Sequence, residues 1–473
     1  MKVLLRLCRS RSISDVKRRL FHVTVYMAEM ADVCKTKPVV AVVQMTSTPD
    51  KEETFAQLSA LVNRAKSRGA AMTFVPECAD YVSESREQAV ALAEPFDGPT
   101  VSRYQELAKT LNMWLSIGGY HEKPKTADEM QRIYNTHLLI DDEGTIQGVY
   151  RKVHMFDVDI PGSVPSCESS YTIPGSSIGP AVATVCGKVG MAICYDMRFP
   201  EMAVSLTQQG AEILTYPSAF TVPTGMAHWE TLLRNRAIEN QCYVIAAAQI
   251  GRHHAKRSSY GNAMVVDPWG TVIARCHNTV DICLAEIDLP LLHKRRSEMP
   301  VFSHKRHDLY GHVLNNTVLR VDSQLEYQFG PHTVKSSSAF YRTGLSVAFV
   351  NRKPVVPGHV LICPVRVVEH LNDLTAAETS DLFLAVQSVA EAVKKHYQVS
   401  SLTIAVQDGP DAGQTVKHVH VHVLPRKPGD FPDNDDVYKH LEHHDKNVAA
   451  REWRNDDAMA AEAAVMRNYF NVL

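Results

Sequence analysis

Cysteine pairs at ligand spacing, long apolar runs and a surplus of either charge are all missing from this chain of 473 residues. Ten cysteines are present, at positions 8, 34, 78, 167, 186, 194, 242, 276, 283 and 363, and no two are arranged C-x-x-C. That spacing excludes a zinc ribbon and gives no disulfide framework; it is the usage of a reducing compartment. No apolar run approaches the ~18 residues of a membrane-spanning helix, so no membrane role is expected. Fifty Lys and Arg stand against 52 Asp and Glu, a formal charge of −2. Without a basic field, a nucleic-acid partner is not expected either. What is there is an ordinary globular composition, 45% hydrophobic and 22% charged, in a chain long enough for at least two domains.

Residues 1–37 form a basic leader. The first 26 carry seven Lys or Arg and one acid, Asp15, the composition of a mitochondrial transit peptide or of a floppy leader without an address. Met27 and Met30 offer a shorter start, so a cytoplasmic protein with a mitochondrial form is the expectation. From residue 38 to 310 strand-like and helix-like segments alternate. Asp50 sits where an N-cap belongs and Gly69 where a C′ residue belongs, with Phe55, Leu58, Leu61, Val62 and Ala65 between them at helical spacing. Strands are expected at 113–117, 136–140, 181–185, 189–194, 213–216, 243–249, 263–267 and 282–287, and helices at 200–209 and 229–240. This mixture predicts a layered α/β sandwich. Residues 311–326 loosen into a linker. From 327 to 473 a second α+β pattern follows, in which Thr375 and Glu378 form a capping box opening a helix to about Tyr397. Strands are expected at 345–350, 359–363, 402–406 and 417–424, and a C-terminal helix at 449–470.

Three places in the first domain carry chemistry together. Cys194 ends an apolar strand just before a helix, an elbow that presents a side chain at the top of a sheet. A lone cysteine there is ordinarily structural; at a helix N-terminus the thiolate is favoured. Glu77 ends another strand after Pro76, and Lys152 follows Arg151 in a mixed basic and apolar stretch. A carboxylate to take the thiol proton, a thiolate to attack carbon and an ammonium to hold the oxyanion are what amide or nitrile hydrolysis requires. Arg198, near the cysteine, is a candidate for holding a substrate carboxylate or for a structural salt bridge.

With Pro76-Glu77, Arg151-Lys152 and Cys194-Tyr195-Asp196 in family order, the first half resembles the nitrilase superfamily of carbon–nitrogen hydrolases. The resemblance implies a four-layer α-β-β-α sandwich, a Glu77–Lys152–Cys194 triad and Glu168 as a second carboxylate placing the lysine. The stretches after Asp157 and Cys194 are similar to the Nit branch. That implies a small amide as substrate, either deaminated glutathione or a dicarboxylate ω-amide.

In the second domain His418, His420 and His422 alternate with Val419, Val421 and Val423. On a strand this pattern lines one face with imidazoles. Two chemistries compete: a shared zinc ion, or nucleophilic attack at phosphorus by one imidazole positioned by its neighbours. The preceding loop, Gln407 to Val416, offers amides, a hydroxyl and glycine backbone suited to phosphate oxygens, which favours the second. The motif, with Asn351, His359 and Gln407, resembles the histidine triad (HIT) superfamily and its Fhit branch. The resemblance implies His420 as the nucleophile, His422 at the bridging oxygen, and His418 and His359 ordering the imidazoles. It further implies that Asn351 holds ribose, that Gln407, Gly413, Gln414, Thr415 and Val416 cradle phosphates, and that His332 contacts substrate. The activity implied is cleavage of diadenosine triphosphate to AMP and ADP. Mg²⁺ or Mn²⁺ would accompany the polyphosphate, with no tightly bound metal. Tyr438 stands as a candidate phosphorylation site or an ordinary exposed tyrosine. A Nit-like half joined to a Fhit-like half implies a homotetramer and a bifunctional hydrolase, with a dinucleotide-sensing scaffold as the alternative.

Overall fold

The computed structural model describes residues 37–126, 129, 131–159, 166–306, 309–311, 313, 318–319, 321, 325–442 and 453–470. The expected leader, most of the expected linker and the start of the C-terminal helix lie outside the described residues. The chain divides into two compact units. The first takes in the described residues up to Pro174, then Val182–Arg198 and Ala211–Pro300; the second takes in Gly175–Ala181, Phe199–Gly210 and Val301 onward.

The first unit is built on two sheets. One runs in the order Arg257–Tyr260, Ala248–His254, Val39–Met45, Met72–Val75, Trp114–Glu122, Tyr134–Ile140 and Ile146–Arg151, with Asp281–Glu286 also paired to Val39–Met45. The other runs Val272–Arg275, Met264–Val266, Tyr243–Ala246, Ile213–Thr215, Gly187–Met191 and Val182–Thr184. They meet face to face, His137 of the first reaching the carbonyl of Ala192 at 3.3 Å. Helices cover the outside. Lys51–Ser67 begins at Asp50, whose carboxylate accepts from the Glu52 and Glu53 amides, and buries Leu58, Leu61 and Val62 against Ala41 and Val43. The long helix Val222–Asn240 packs on Tyr243–Ala246.

Three features of this unit depart from the sequence expectation. The strand expected at 189–194 runs from Gly187 only to Met191, so Cys194 opens a 3₁₀ turn beyond it rather than ending the strand. The stretch expected as one strand, 243–249, is two strands in different sheets, broken at Ala247. The helix expected at 229–240 begins seven residues earlier, at Val222. Pro223 is compatible with a helix's first turn, and Gly225 is required by packing: a Cβ there would lie 2.2 Å from the Tyr260 ring. Gly118 serves a similar purpose. A Cβ on it would lie 2.0 Å from Pro217 and 2.2 Å from the Val75 carbonyl, and it sits where the register of Trp114–Glu122 slips between Ile117 and Tyr120. The two sheets can therefore approach closely at the edge where the chemistry-bearing residues gather.

The second unit carries one antiparallel sheet in the order Ala339–Arg342, Ser346–Val350, Val360–Pro364, Val421–Arg426 and Ser401–Val406. The capping box is present as expected: Thr375 and Glu378 bond reciprocally at the start of the helix Ala376–Tyr397. Leu382, Val386, Val389 and Val393 on that helix pack against Ala348, Val360, Ile362 and the three valines of the histidine stretch. Each such side chain contributes about 1.5–3 kcal/mol by leaving water. The opposite face of the sheet packs under the hairpin Glu326–Phe329 and His332–Lys335, through Tyr327, Phe329, Phe349 and Leu361. No helix among the described residues is long and apolar enough to cross a membrane.

The strand expected at 417–424 begins only at Val421 and runs to Arg426. Before it the backbone turns, with the His418 amide donating to Val416 O at 2.8 Å, so only His422 of the three histidines lies in the ladder, opposite Leu361 and Ala405. The alternation survives: Val419, Val421 and Val423 all enter the helix-side core.

Glu378 also receives two hydrogen bonds from Arg366, each 2.7 Å. Arg366 holds its carboxyl down to about 2 against an opposing desolvation, with Thr375 assisting. A depressed carboxyl stabilises the fold above its unfolded value near 4.5 and loses that contribution as pH falls toward 2. Glu378→Gln should therefore flatten the acid limb of thermal stability between these two pH values, measured as unfolding midpoints against pH.

Candidate active sites

The first site lies where the two sheets of the first unit meet at one edge. Glu77 follows the strand Met72–Val75, Lys152 follows Ile146–Arg151, and Glu168 opens a short 3₁₀ turn after Ser166–Cys167 pairs with Asp157–Val158. All three are buried. The Lys152 Nζ donates to Glu77 Oε1 at 3.1 Å and to both Glu168 oxygens at 3.0 and 2.8 Å. The remaining capacity of the carboxylates is satisfied. Asn135 Nδ2 donates to Glu77 Oε1 at 2.9 Å, the Ala219 amide to Glu77 Oε2 at 2.9 Å, and the Phe156 amide to Glu168 Oε2 at 2.7 Å. The Cys194 thiol lies close enough to Glu77 for each to bear on the other's ionisation.

Cys194 itself has φ +47°, a left-handed conformation uncommon for a residue with a side chain, and opens the 3₁₀ turn Cys194–Arg198. Asp196 fixes this elbow: its Oδ2 accepts from the Ile193 amide at 2.8 Å and from the Tyr150 hydroxyl at 2.6 Å, while its Oδ1 faces His154 Nδ1 at 2.8 Å. Tyr150 and His154 flank Lys152, so one buried carboxylate ties the sulfur and the ammonium into one frame. The Cys194 amide is engaged by Pro217 O at 2.9 Å, which leaves Lys152 as the site's evident cationic donor to an oxyanion.

The electrostatics correct one expectation. The thiol is not favoured as thiolate: burial pushes Cys194 well up and the charge of Glu77 adds to that, outweighing Lys152. Burial also opposes ionisation of Glu77, but Lys152, the thiol and Arg257 bring its carboxyl below the ordinary value. Lys152 is desolvated yet held well above the usual ammonium range by Glu168 and Glu77. The resting site is thus a thiol beside a carboxylate beside an ammonium, with the base ionised and ready to accept a proton.

Arg198 lies on the 3₁₀ turn, 3.3 Å from His228 Nδ1 and near the Tyr195 and Phe220 rings, and takes part in none of the hydrogen bonds around Lys152. Sequence reading missed Asn135, Ala219 and Gln249. The last donates to the carbonyls of Glu77 at 2.9 Å and Cys78 at 3.3 Å, pinning the strand end that carries the base.

In the second unit His359, His418, His420 and His422 are buried together. Their protons can be traced. The Val355 amide donates to His359 Nδ1 at 3.2 Å, so His359 in its neutral form carries its proton on Nε2 and donates it to His422 Nδ1 at 2.9 Å. His422 then carries its own proton on Nε2. His420 has the opposite tautomer: its Nδ1 donates to the His418 carbonyl at 2.7 Å, which leaves a lone pair on Nε2. His418 accepts from the Gly330 amide at 3.2 Å and is pushed down to about 4 by burial, so it stays neutral. Phe329 packs edge-on against His420 with ring centroids 5.1 Å apart, a contact that no residue spacing marks.

Asn351 lies 3.4 Å from His359 Nε2 and its Oδ1 accepts from the Lys353 amide. Gly413 packs against Gln407, a Cβ there falling 2.7 Å from its Nε2. Gln414 turns inward, accepting from the Gly409 amide at 2.8 Å and donating to Glu369 O at 2.9 Å, so its side chain braces the loop. Thr415 is exposed, and Val416 packs near the Glu326–Lys335 hairpin. His332 is exposed on that hairpin and joins none of the hydrogen bonds of the histidine cluster. Tyr438 is exposed on the short helix Asp436–Glu442. Among the described residues no group of three or more His, Cys, Asp or Glu side chains is placed to hold one metal ion.

These two sites have counterparts in known proteins. The carbon–nitrogen hydrolase family matches residues 39–297 and the HIT domain family residues 332–429. The chain is 47% identical over 429 residues to the nitrilase and fragile histidine triad fusion protein NitFhit of Caenorhabditis elegans, covering 91% of this chain and 96% of that one. It is 52% identical over 276 residues to the deaminated glutathione amidase of Homo sapiens, covering 58% of this chain and 84% of that one. The crystal structure of the C. elegans NitFhit protein superposes with a TM-score of 0.81 at 45% identity, over 91% of this chain and 98% of that chain. The chain belongs to the NitFhit family, in which a carbon–nitrogen hydrolase domain is joined to a HIT domain.

Proposed function

We propose that the chain is a bifunctional hydrolase acting on a small amide at Cys194 and on diadenosine triphosphate at His420. The amide reading is carried by the lysine held between two buried carboxylates beside a cysteine in a left-handed elbow. As substrate enters, the Cys194 proton passes to Glu77, the sulfur attacks the carbonyl carbon, and Lys152 neutralises the oxyanion. Glu77 returns the proton to the departing ammonia, leaving a thioester. Glu77 then takes a proton from the water that attacks the thioester and passes it to the departing sulfur, which releases the acid and restores the thiol. Deaminated glutathione, after which several relatives are named, and dicarboxylate ω-amides are the candidate substrates.

In the second domain His420 Nε2 attacks the α-phosphorus and the His422 Nε2 proton goes to the leaving ADP oxygen. Water, giving a proton back to His422 Nε2, then displaces the histidine to release AMP. The opposite tautomers of the two imidazoles support this division of roles. A divalent cation, Mg²⁺ or Mn²⁺, would come with the polyphosphate, coordinated by its oxygens.

One preparation tests both halves. Cys194→Ala and His420→Ala are assayed beside wild type on diadenosine triphosphate and on a panel of ω-amides and deaminated glutathione. Each variant should lose one activity and keep the other. If Cys194→Ala leaves amide turnover unchanged, or His420→Ala leaves AMP and ADP formation unchanged, that half of the reading is wrong.

A further inference from the structure

Arg257 stands apart from the other shielded arginines of the first unit. Arg151 is held by Glu122, Arg132 by the carbonyls of Ser169 and Thr172, and Arg236 by Met197 O and Glu239. Among the described residues, the Arg257 guanidinium donates to none and forms no ion pair, although it is partly enclosed. It projects from the hairpin in which Arg257 pairs with His254, on the strand next to the one bearing Gln249. Gln249 on that neighbouring strand bonds the Glu77 and Cys78 carbonyls, and the charges of Cys78, Tyr171, Glu77 and Cys194 act on the guanidinium, so it lies near the cysteine and its base.

The charge of the site gives this position a purpose. Glu77 and Glu168 contribute two negative charges and Lys152 one positive, leaving one negative charge beside the thiol. The neighbouring Asp80 is balanced by His121, whose imidazolium persists to about 10 because Asp80 outweighs its burial. An amide carrying its own carboxylate would be repelled from such a pocket. A guanidinium without an internal partner cancels the excess and offers a planar pair of donors matched to a carboxylate.

We propose that Arg257 binds a carboxylate of the amide substrate and sets a preference for anionic over neutral amides. The proposal rests on the amidase reading of the Cys194 site, and it assigns to Arg257 the role that the sequence suggested for Arg198. Arg198 has His228 and two aromatic rings as partners instead.

Two readouts on the full-length protein test it. Succinamate and the neutral valeramide are compared kinetically in wild type, Arg257→Gln, Arg257→Lys and Arg198→Gln. Arg257→Gln should lower the ratio of the two efficiencies roughly 10- to 100-fold through KM for succinamate, the scale of a lost charged hydrogen-bond pair. Arg257→Lys should recover part of that ratio, and Arg198→Gln should leave it near the wild-type value. Separately, alkylation of Cys194 by iodoacetate and by iodoacetamide is followed by peptide mass. Arg257→Gln should slow the anionic reagent relative to the neutral one by a similar factor. An unchanged ratio in both readouts would overturn the proposal, as would a ratio that responds to Arg198→Gln alone. An equal loss for both substrates and both reagents would assign Arg257 to tuning Glu77 and the thiol. Should wild type turn over neither amide, the amidase reading fails on these substrates, and the alkylation ratio still decides whether Arg257 binds a carboxylate.

Discussion

Lys152→Met is expected to lower amide turnover ~10³-fold or more and to destabilise the first unit by about 3–5 kcal/mol, because one ammonium serves both purposes. In the native site its three donors reach Glu77 and Glu168 at 2.8–3.1 Å, and both carboxylates are buried. Without it, two like charges remain in a shared, desolvated space, and burial then raises the Glu77 carboxyl with only the weaker field of Arg257 and the thiol to oppose it. Destabilisation should be worst near neutral pH and should diminish as acid protonates one of the pair. Adding Glu168→Gln should restore much of the stability and none of the turnover. Thermal unfolding at pH 5 and 8, with amide hydrolysis measured on the same samples, separates the two effects. A Lys152→Met protein as stable as wild type at both pH values would show that the carboxylates are not held as an obligate ion cluster.

The second large effect concerns a residue that does not touch substrate. His359→Phe keeps an aromatic ring but removes the Nε2 proton donated to His422 Nδ1. His422 is then free to place its proton on Nδ1, where it no longer faces the leaving group. In other enzymes the wrong imidazole tautomer costs up to about 10⁴-fold in turnover. A loss of ~10² to 10⁴ in kcat for diadenosine triphosphate is expected, with KM changed far less. The distinguishing measurement is the ¹⁵N chemical shifts of the His422 ring, which should move from the Nε2–H to the Nδ1–H pattern. A fall in activity with the ring shifts unmoved would mean that His359 acts by packing alone.

Much of both sites could be read from the chain, and what could not has specific causes. Glu77 and Cys194 follow short apolar strands, where a charged or nucleophilic residue interrupts the pattern, and Lys152 follows a strand of mixed basic and apolar residues. The capping box at Thr375 and Glu378 is legible because its mechanism is local. Arg257 and Gln249 gave no signal, since their importance comes from strands brought beside Glu77 only by the fold. The helix Pro99–Leu111 was equally silent: Gly98 precedes it and makes no side-chain cap. The run 243–249 reads as one strand because its residues are buried throughout, and periodicity cannot mark the point where a chain leaves one sheet for another. The tautomers of His359, His420 and His422 depend on which backbone groups meet each ring, which spacing alone does not encode.

That break at Ala247 has a consequence for how this catalytic apparatus can vary. Tyr243–Ala246 is a neighbour of Ile213–Thr215, which in turn pairs with Gly187–Met191, the strand leading to the sulfur. Ala248–His254 pairs with Val39–Met45, which in turn pairs with Met72–Val75, the strand leading to the base. Nucleophile and base therefore descend from different sheets, and a single peptide unit spans the gap between them. It works as a gauge block. Lengthening or shortening the chain at that point would shift every partner on one side by a residue and turn its inward faces outward, whereas the outlying hairpin and its arginine can change without disturbing the distance from sulfur to carboxylate. The spacing of sulfur and base is thus set apart from the hairpin, and Arg257 reaches the reaction only through its charge on Glu77 and through the carboxylate we propose it binds.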